Sequence, residues 1–275
     1  MQGDKRIYPR ERSGGKWLSY LLLFLSAVIV LSGLVWRKGG DVSIEVEPTP
    51  TPIPTDAYFD ETPQQRDVTL PGGTWYALQL GAFESEKAAN ELAQQFMRRG
   101  AAGYVWRDGR YRTLAAVYPT REDAQNVRKQ LDADHAVDSY LYQIDLPALH
   151  VRLSGMKGQL DILEAAFIHA NDLIAGLQGI SLALDRQECG EQEARETLSG
   201  LKEQVEAVSL RMKQRFVQPR HATVEGLIGC FDGYAVFCQA LEPGESAVAL
   251  GAKLKYETLA CLNELKSVYD ALGNT

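Results

Sequence analysis

Two stretches of this chain, residues 76–96 and 111–131, are rough copies of one unit, and that repeat limits the fold more than any other feature. The first copy reads Tyr-Ala-Leu-Gln-Leu-Gly-Ala-Phe and runs into a segment with Ala88, Ala89, Leu92 and Phe96. The second reads Tyr-Arg-Thr-Leu-Ala-Ala-Val-Tyr and runs into one with Ala124, Val127 and Leu131. At an offset of 35 residues, Tyr76 falls on Tyr111, Gly81 on Ala116, Phe83 on Tyr118, Ala89 on Ala124 and Phe96 on Leu131. Alternation followed by helical spacing, twice over, predicts two strand–helix units that form a small sheet with helices on one face. The other face is expected to be free for a ligand.

The local signals fill in the order β-α-β-β-α-β. In the first strand, Tyr76, Leu78 and Leu80 point one way, and Trp75, Ala77, Gln79 and Gly81 the other. Ser85 precedes the first helix and Gly100 follows it, while Thr120 caps the second. Gly103–Trp106 and Tyr111–Val117 read as a hairpin around Asp108-Gly109. Val137–Ile144 is the last strand, in which Tyr140 and Tyr142 share a face that periodicity alone leaves unassigned. The expected class is α+β: a ferredoxin-like domain over residues 74–147.

Residues 153–273 have a different texture. Leu153, Met156, Leu160, Leu163, Phe167, Ala170, Ile174 and Leu177 recur at three and four. Further stripes run through Leu198–Met212, Val224–Cys238 and Leu250–Leu272, with breaks at Glu188-Cys189-Gly190, Pro219 and Pro243-Gly244. An all-α four-helix bundle follows.

The N-terminal segment completes the plan. No residue from Trp17 to Trp36 is charged. Twenty helical residues span about 30 Å, the hydrocarbon thickness of a bilayer. A cleaved signal peptide has a shorter apolar region and a small-residue cleavage site. Here the run is longer and ends Leu-Val-Trp-Arg-Lys, so residues 17–36 read as an uncleaved transmembrane helix. Lys5, Arg6, Arg10, Arg12 and Lys16 make residues 1–16 a cytoplasmic tail and put the later domains outside the membrane. Residues 37–73 are a linker with Pro-Thr-Pro-Thr-Pro-Ile-Pro at its centre, and between 39 and 71 they carry seven acids against one base. Such a segment favours extended polyproline II.

Charge narrows the partners. Residues 39–275 hold 22 Lys/Arg and 34 Asp/Glu, a formal charge of −12, which disfavours nucleic acid and anionic membrane surfaces. Catalytic motifs do not stand out. His135, His150, His169 and His221 are scattered, no cysteine pair has metal spacing, and neither a nucleophile elbow nor a phosphate loop occurs. No catalytic residue, metal or cofactor is therefore expected, and the chain is not read as an enzyme. Cys189, Cys230, Cys238 and Cys261 fit either small core residues or disulfide partners.

The stretch Tyr76-Ala-Leu78-Gln79-Leu80-Gly81-Ala82-Phe83 resembles the first strand of the SPOR domain, the sporulation-related repeat of cell-division proteins and wall amidases. That strand typically reads aromatic-x-Val-Gln-Val-Gly-Ser-Phe. Ala88, Ala89 and Leu92 fit its first helix, and Tyr111-Arg112 opens its second half. Ala116, Val117 and Tyr118 stand where the family has Gly-Pro-Phe. The resemblance implies that the open sheet face binds peptidoglycan glycan strands lacking stem peptides, in cell division or sporulation. On this reading Trp75, Gln79, Trp106, Arg112, Tyr140 and Tyr142 are the glycan-binding residues, with the first strand mattering more than the end of the third. The helical bundle would take a protein partner or act as a spacer. The alternative is an envelope scaffold that uses sheet and bundle for protein contacts without glycan.

Overall fold

The computed structural model describes residues 62–273. The expected tail, membrane span and first part of the linker lie outside the described residues. In chain order the elements are β1 (Pro63–Leu70), β2 (Gly73–Phe83), α1 (Glu86–Met97), β3 (Tyr104–Arg107), β4 (Tyr111–Tyr118), α2 (Arg121–His135), β5 (Tyr140–Leu146), β6 (Leu149–Met156), α3 (Lys157–Asp185), α4 (Glu191–Arg215), α5 (Ala222–Gln239) and α6 (Ala247–Gly273).

The repeat builds the expected βαββαβ domain. Four antiparallel strands lie in the order β3-β4-β2-β5, with α1 and α2 on one face. Leu78, Ala115, Ala116, Tyr118 and Ala124 form the small core under these helices, joined by Tyr76, Leu80, Val127, Leu131 and Leu141. Thr113, fully buried, donates to the Ala89 carbonyl at 2.9 Å and pins α1 to β4. The Thr120 hydroxyl accepts from the Asp123 amide at 3.1 Å, satisfying an orphan donor at the start of α2. Asp108 and Gly109 make the β3–β4 turn, with Gly109 at φ 79°.

One parity differs from the sequence expectation. The β2–β4 register shifts between Ala77 and Gln79 and again between Gln79 and Gly81. The irregularity turns Gly81 toward α1, although simple alternation puts it with Gln79. A Cβ there would lie 2.8 Å from the Phe83 ring and 3.0 Å from Leu92, so any larger residue would have to push these side chains aside.

Residues read as linker contain β1, which pairs with β6 from Pro63↔Met156 to Leu70↔Leu149. Arg66, Val68 and Leu70 on β1 and Leu149, Val151 and Leu153 on β6 alternate with more exposed neighbours, the period of a half-buried strand. Leu153 and Met156, read as the first turn of the bundle, therefore belong to β6, and helix starts at Lys157. Arg66 ties the ribbon to α3 through Asp161 at 2.7 Å and Glu164 at 2.9 Å.

The four-helix region follows the sequence pattern. Each of α3 and α5 packs against both α4 and α6. Leu198, Val205, Val208, Met212, Leu227, Phe231, Leu250, Leu254, Leu262 and Leu265 are all buried. Tyr234, fully buried, satisfies its hydroxyl on the Leu198 carbonyl at 2.9 Å. All four cysteines are free thiols, with Cys230 and Cys261 buried as small apolar residues.

The larger core does not stop at the bundle. It continues through Ala77, Ala102, Trp106, Leu114, Val117 and Ile144 of the sheet domain. The sheet face expected to be free is thus covered over much of its area, chiefly by α6 against β3 and β4. Alternation reports which side chains leave the α1/α2 face. It is silent on whether a distant helix lies over them.

Candidate functional site

The strand register collects all six sequence-predicted residues on the face opposite α1 and α2. Tyr104, Leu114, Gln79 and Tyr140 form one row across the four strands. Trp106 pairs with Arg112, Ala77 with Tyr142, and Trp75 with Ile144. The face of Tyr140 and Tyr142, open in the sequence, is settled by these pairings.

The six do not share one environment. Trp106 is only 2% exposed, inside the core continuous with the bundle. Trp75 is half-buried against the same core. Around them the seam is held by directional contacts. Tyr104 meets Tyr256 of α6 edge-on, with ring centroids 5.0 Å apart. Lys255 donates to the Gly100 carbonyl at 3.1 Å, Gln178 to the Val117 carbonyl at 3.4 Å, and Tyr269 to the Pro71 carbonyl at 3.0 Å. Trp106 is thus a packing residue, a correction to its expected place on an open binding face, whereas Trp75, like Tyr142, is only partly buried against the same core.

The other four form an accessible corner. The Arg112 Nη1 donates to Gln79 Oε1 at 2.7 Å and its Nε to Asp108 Oδ1 at 2.7 Å. The guanidinium lies 4.6 Å from the centre of the Tyr142 ring. The Tyr142 hydroxyl donates to Asp108 Oδ2 at 2.6 Å, closing the set. Beside it Tyr140 is 58% exposed, with its hydroxyl 3.3 Å from Asp138 Oδ2.

Asp108 was legible only as a turn residue, yet it organises this corner. Partial burial pushes its carboxyl up, but the Tyr142 hydroxyl and the Arg112 guanidinium outweigh that and hold it below the ordinary carboxylate value. The Tyr142 phenol is pushed up to about 12, first by burial and then by its bond to Asp108. At neutral pH the corner therefore carries an ionised carboxylate, a guanidinium and a neutral phenol.

Chemically, this arrangement is a recognition surface. The Tyr140 ring offers an apolar plate, and Gln79 retains its amide donors because Arg112 occupies its oxygen. Among the described residues no group of three or more His, Cys, Asp and Glu is placed to hold a metal ion. Glu257 of α6 is a buried carboxylate pushed up to about 7 by desolvation, but its nearest partner is the Cys261 thiol at 3.8 Å within the bundle.

The SPOR domain family matches residues 58–107 and residues 72–143. The chain matches no curated protein and no solved structure. SPOR domains are non-catalytic binding domains, and the match implies peptidoglycan binding in cell division. It extends over β1 to β5 and stops before the helices of the bundle. Residues 58–143 are therefore similar to the SPOR domain family, and the four-helix region stands outside the match.

Proposed function

We propose that this protein is a single-pass, membrane-anchored binder of denuded glycan strands in bacterial cell division or sporulation, and that it engages glycan through the open corner of its sheet. The observation that carries this reading is the cluster of Gln79, Arg112, Tyr140 and Tyr142 on the ligand-facing side of a SPOR domain. Sugar rings stack their axial hydrogens on aromatic faces, and their hydroxyls pair with amide and guanidinium donors. The uncharged run at 17–36 and the basic residues before it support an anchor with a cytoplasmic N-terminus and extracytoplasmic domains. The proline-rich segment gives the domains reach toward the wall. The bundle, locked to the sheet by a shared core, acts as a rigid platform for a protein partner.

One observation favours a second reading. Trp106, Leu114 and Ile144 occupy much of the expected ligand face and are buried against the bundle. A domain with its sheet so covered would suit an envelope scaffold that binds proteins and no glycan. The full chain in detergent, pulled down on amidase-treated sacculi, separates the two. Glycan binding predicts retention that falls about ten-fold in Arg112→Ala, the loss expected for a charge-assisted contact. Equal retention of the wild type and Arg112→Ala would leave the scaffold reading in its place.

A further inference from the structure

We infer that Asp108 sets which sugar of the glycan the corner accepts, favouring the uncharged unit over the carboxylated one. The inference rests on the glycan-binding reading above and goes beyond it by naming a specificity residue. Denuded glycan alternates an uncharged N-acetyl sugar with an acid sugar, whose lactyl carboxylate is exposed once the stem peptide is gone. A bare guanidinium on this face would attract that carboxylate. Arg112 is not bare: Asp108 neutralises it at 2.7 Å, and its Nη1 is committed to Gln79.

The surroundings push the same way. Both corner tyrosines donate their hydroxyls to carboxylates, Tyr142 to Asp108 and Tyr140 to Asp138. The other arginines of the hairpin are engaged elsewhere, Arg110 with Glu84 at 3.5 Å and Arg107 over the Tyr111 ring. Asp108 thus holds the guanidinium, and Asp138 holds the hydroxyl of the exposed Tyr140 ring. The remaining donors, the Gln79 amide and the free edge of Arg112, suit the carbonyl and hydroxyl oxygens of an uncharged acetamido sugar. An anionic substituent meets a guanidinium already balanced by Asp108, with the Asp138 carboxylate beside the plate.

The test measures binding of the full chain in detergent to two probes: chitotetraose, which is uncharged, and amidase-stripped glycan, which carries lactyl carboxylates. Asp108→Asn keeps the shape and one acceptor oxygen while removing the charge. The expected result is a rise of about five-fold in the ratio of stripped-glycan to chitotetraose affinity, the scale of one partly exposed charge. Asp138→Asn should shift the ratio in the same direction by less, and supplies the answer if Asp108→Asn does not fold. The same loss for both probes in Asp108→Asn would make Asp108 a structural brace and overturn the inference, as would an unchanged ratio in both variants. Binding of neither probe by the wild type or the variants would instead defeat the glycan reading itself, and this inference with it.

Discussion

The two ends of one sheet face have opposite fates. Ala77, Trp106, Leu114 and Ile144 share it with Gln79, Arg112, Tyr140 and Tyr142, and the same strand period points them all away from α1 and α2. The first group is buried under the bundle, whereas the second keeps Tyr140 more than half exposed. The difference lies in chemistry along the strands. Small and apolar side chains let α6 approach, and burying them contributes roughly 25 cal/mol for each Å² removed from water. Burying the guanidinium and carboxylate of Arg112 and Asp108 would cost several kcal/mol per ion, so a packed helix is disfavoured there. Residue type thus marks where the domain can be sealed and where it must stay wet.

The sharpest way to break this comparison is to cut into the sealed end. Trp106→Ala should lower unfolding free energy by about 3–5 kcal/mol in denaturant titration, because it leaves a large cavity at the seam. A cost typical of an exposed residue, within about 0.5 kcal/mol, would mean the seal does not form.

Glu257, in the helix that forms the seal, offers a pH readout. Its folded-state value of about 7 lies above the ordinary 4.5, so the folded chain holds this proton more tightly than the unfolded one. Stability is therefore full below about pH 4.5, falls as pH rises toward 7, and levels off above it, a total of about 3 kcal/mol. Glu257→Gln should remove this slope and stabilise the protein at pH 8. A wild type whose stability is flat from pH 4.5 to 7 would show a wetter bundle than described.

At the open end the pattern inverts. Tyr140→Ala should weaken glycan retention by about 1–2 kcal/mol while changing unfolding free energy by less than about 0.5 kcal/mol. A large loss of stability in this variant would put Tyr140 in a core. The smallest effect is expected where the two ends meet. Tyr256→Ala removes an edge-on contact with Tyr104 and should cost about 1 kcal/mol beyond the area it exposes, with glycan retention unchanged.

Much of the domain was legible from local rules. Thr120 as a cap, Asp108-Gly109 as a turn, and Leu78 and Leu80 as inward residues needed only dihedral preference and period two. The bundle was legible for the same reason, since its stripes repeat at the helical period. Other features were not. Gly81 changes sides because a register irregularity breaks parity, and no local signal marks it. The alternation at 63–70 and 149–156 is visible once the strands are paired, but the prolines before β1 and the helical spacing of Leu153 and Met156 masked it. Asp108 looked like any turn aspartate until the fold brought Arg112 and Tyr142 to its two oxygens.

By itself, the sequence determined the repeat, the βαββαβ order, the four helices and the shared face of Trp75, Gln79 and Arg112, because each depends on period and spacing along the chain. Only the tertiary structure decided which part of that face meets solvent. That outcome depends on α6, more than 130 residues beyond Trp106, finding an apolar surface to cover and stopping at the charged corner. Burial is a property of pairs of distant surfaces, and strand periodicity encodes only one member of each pair.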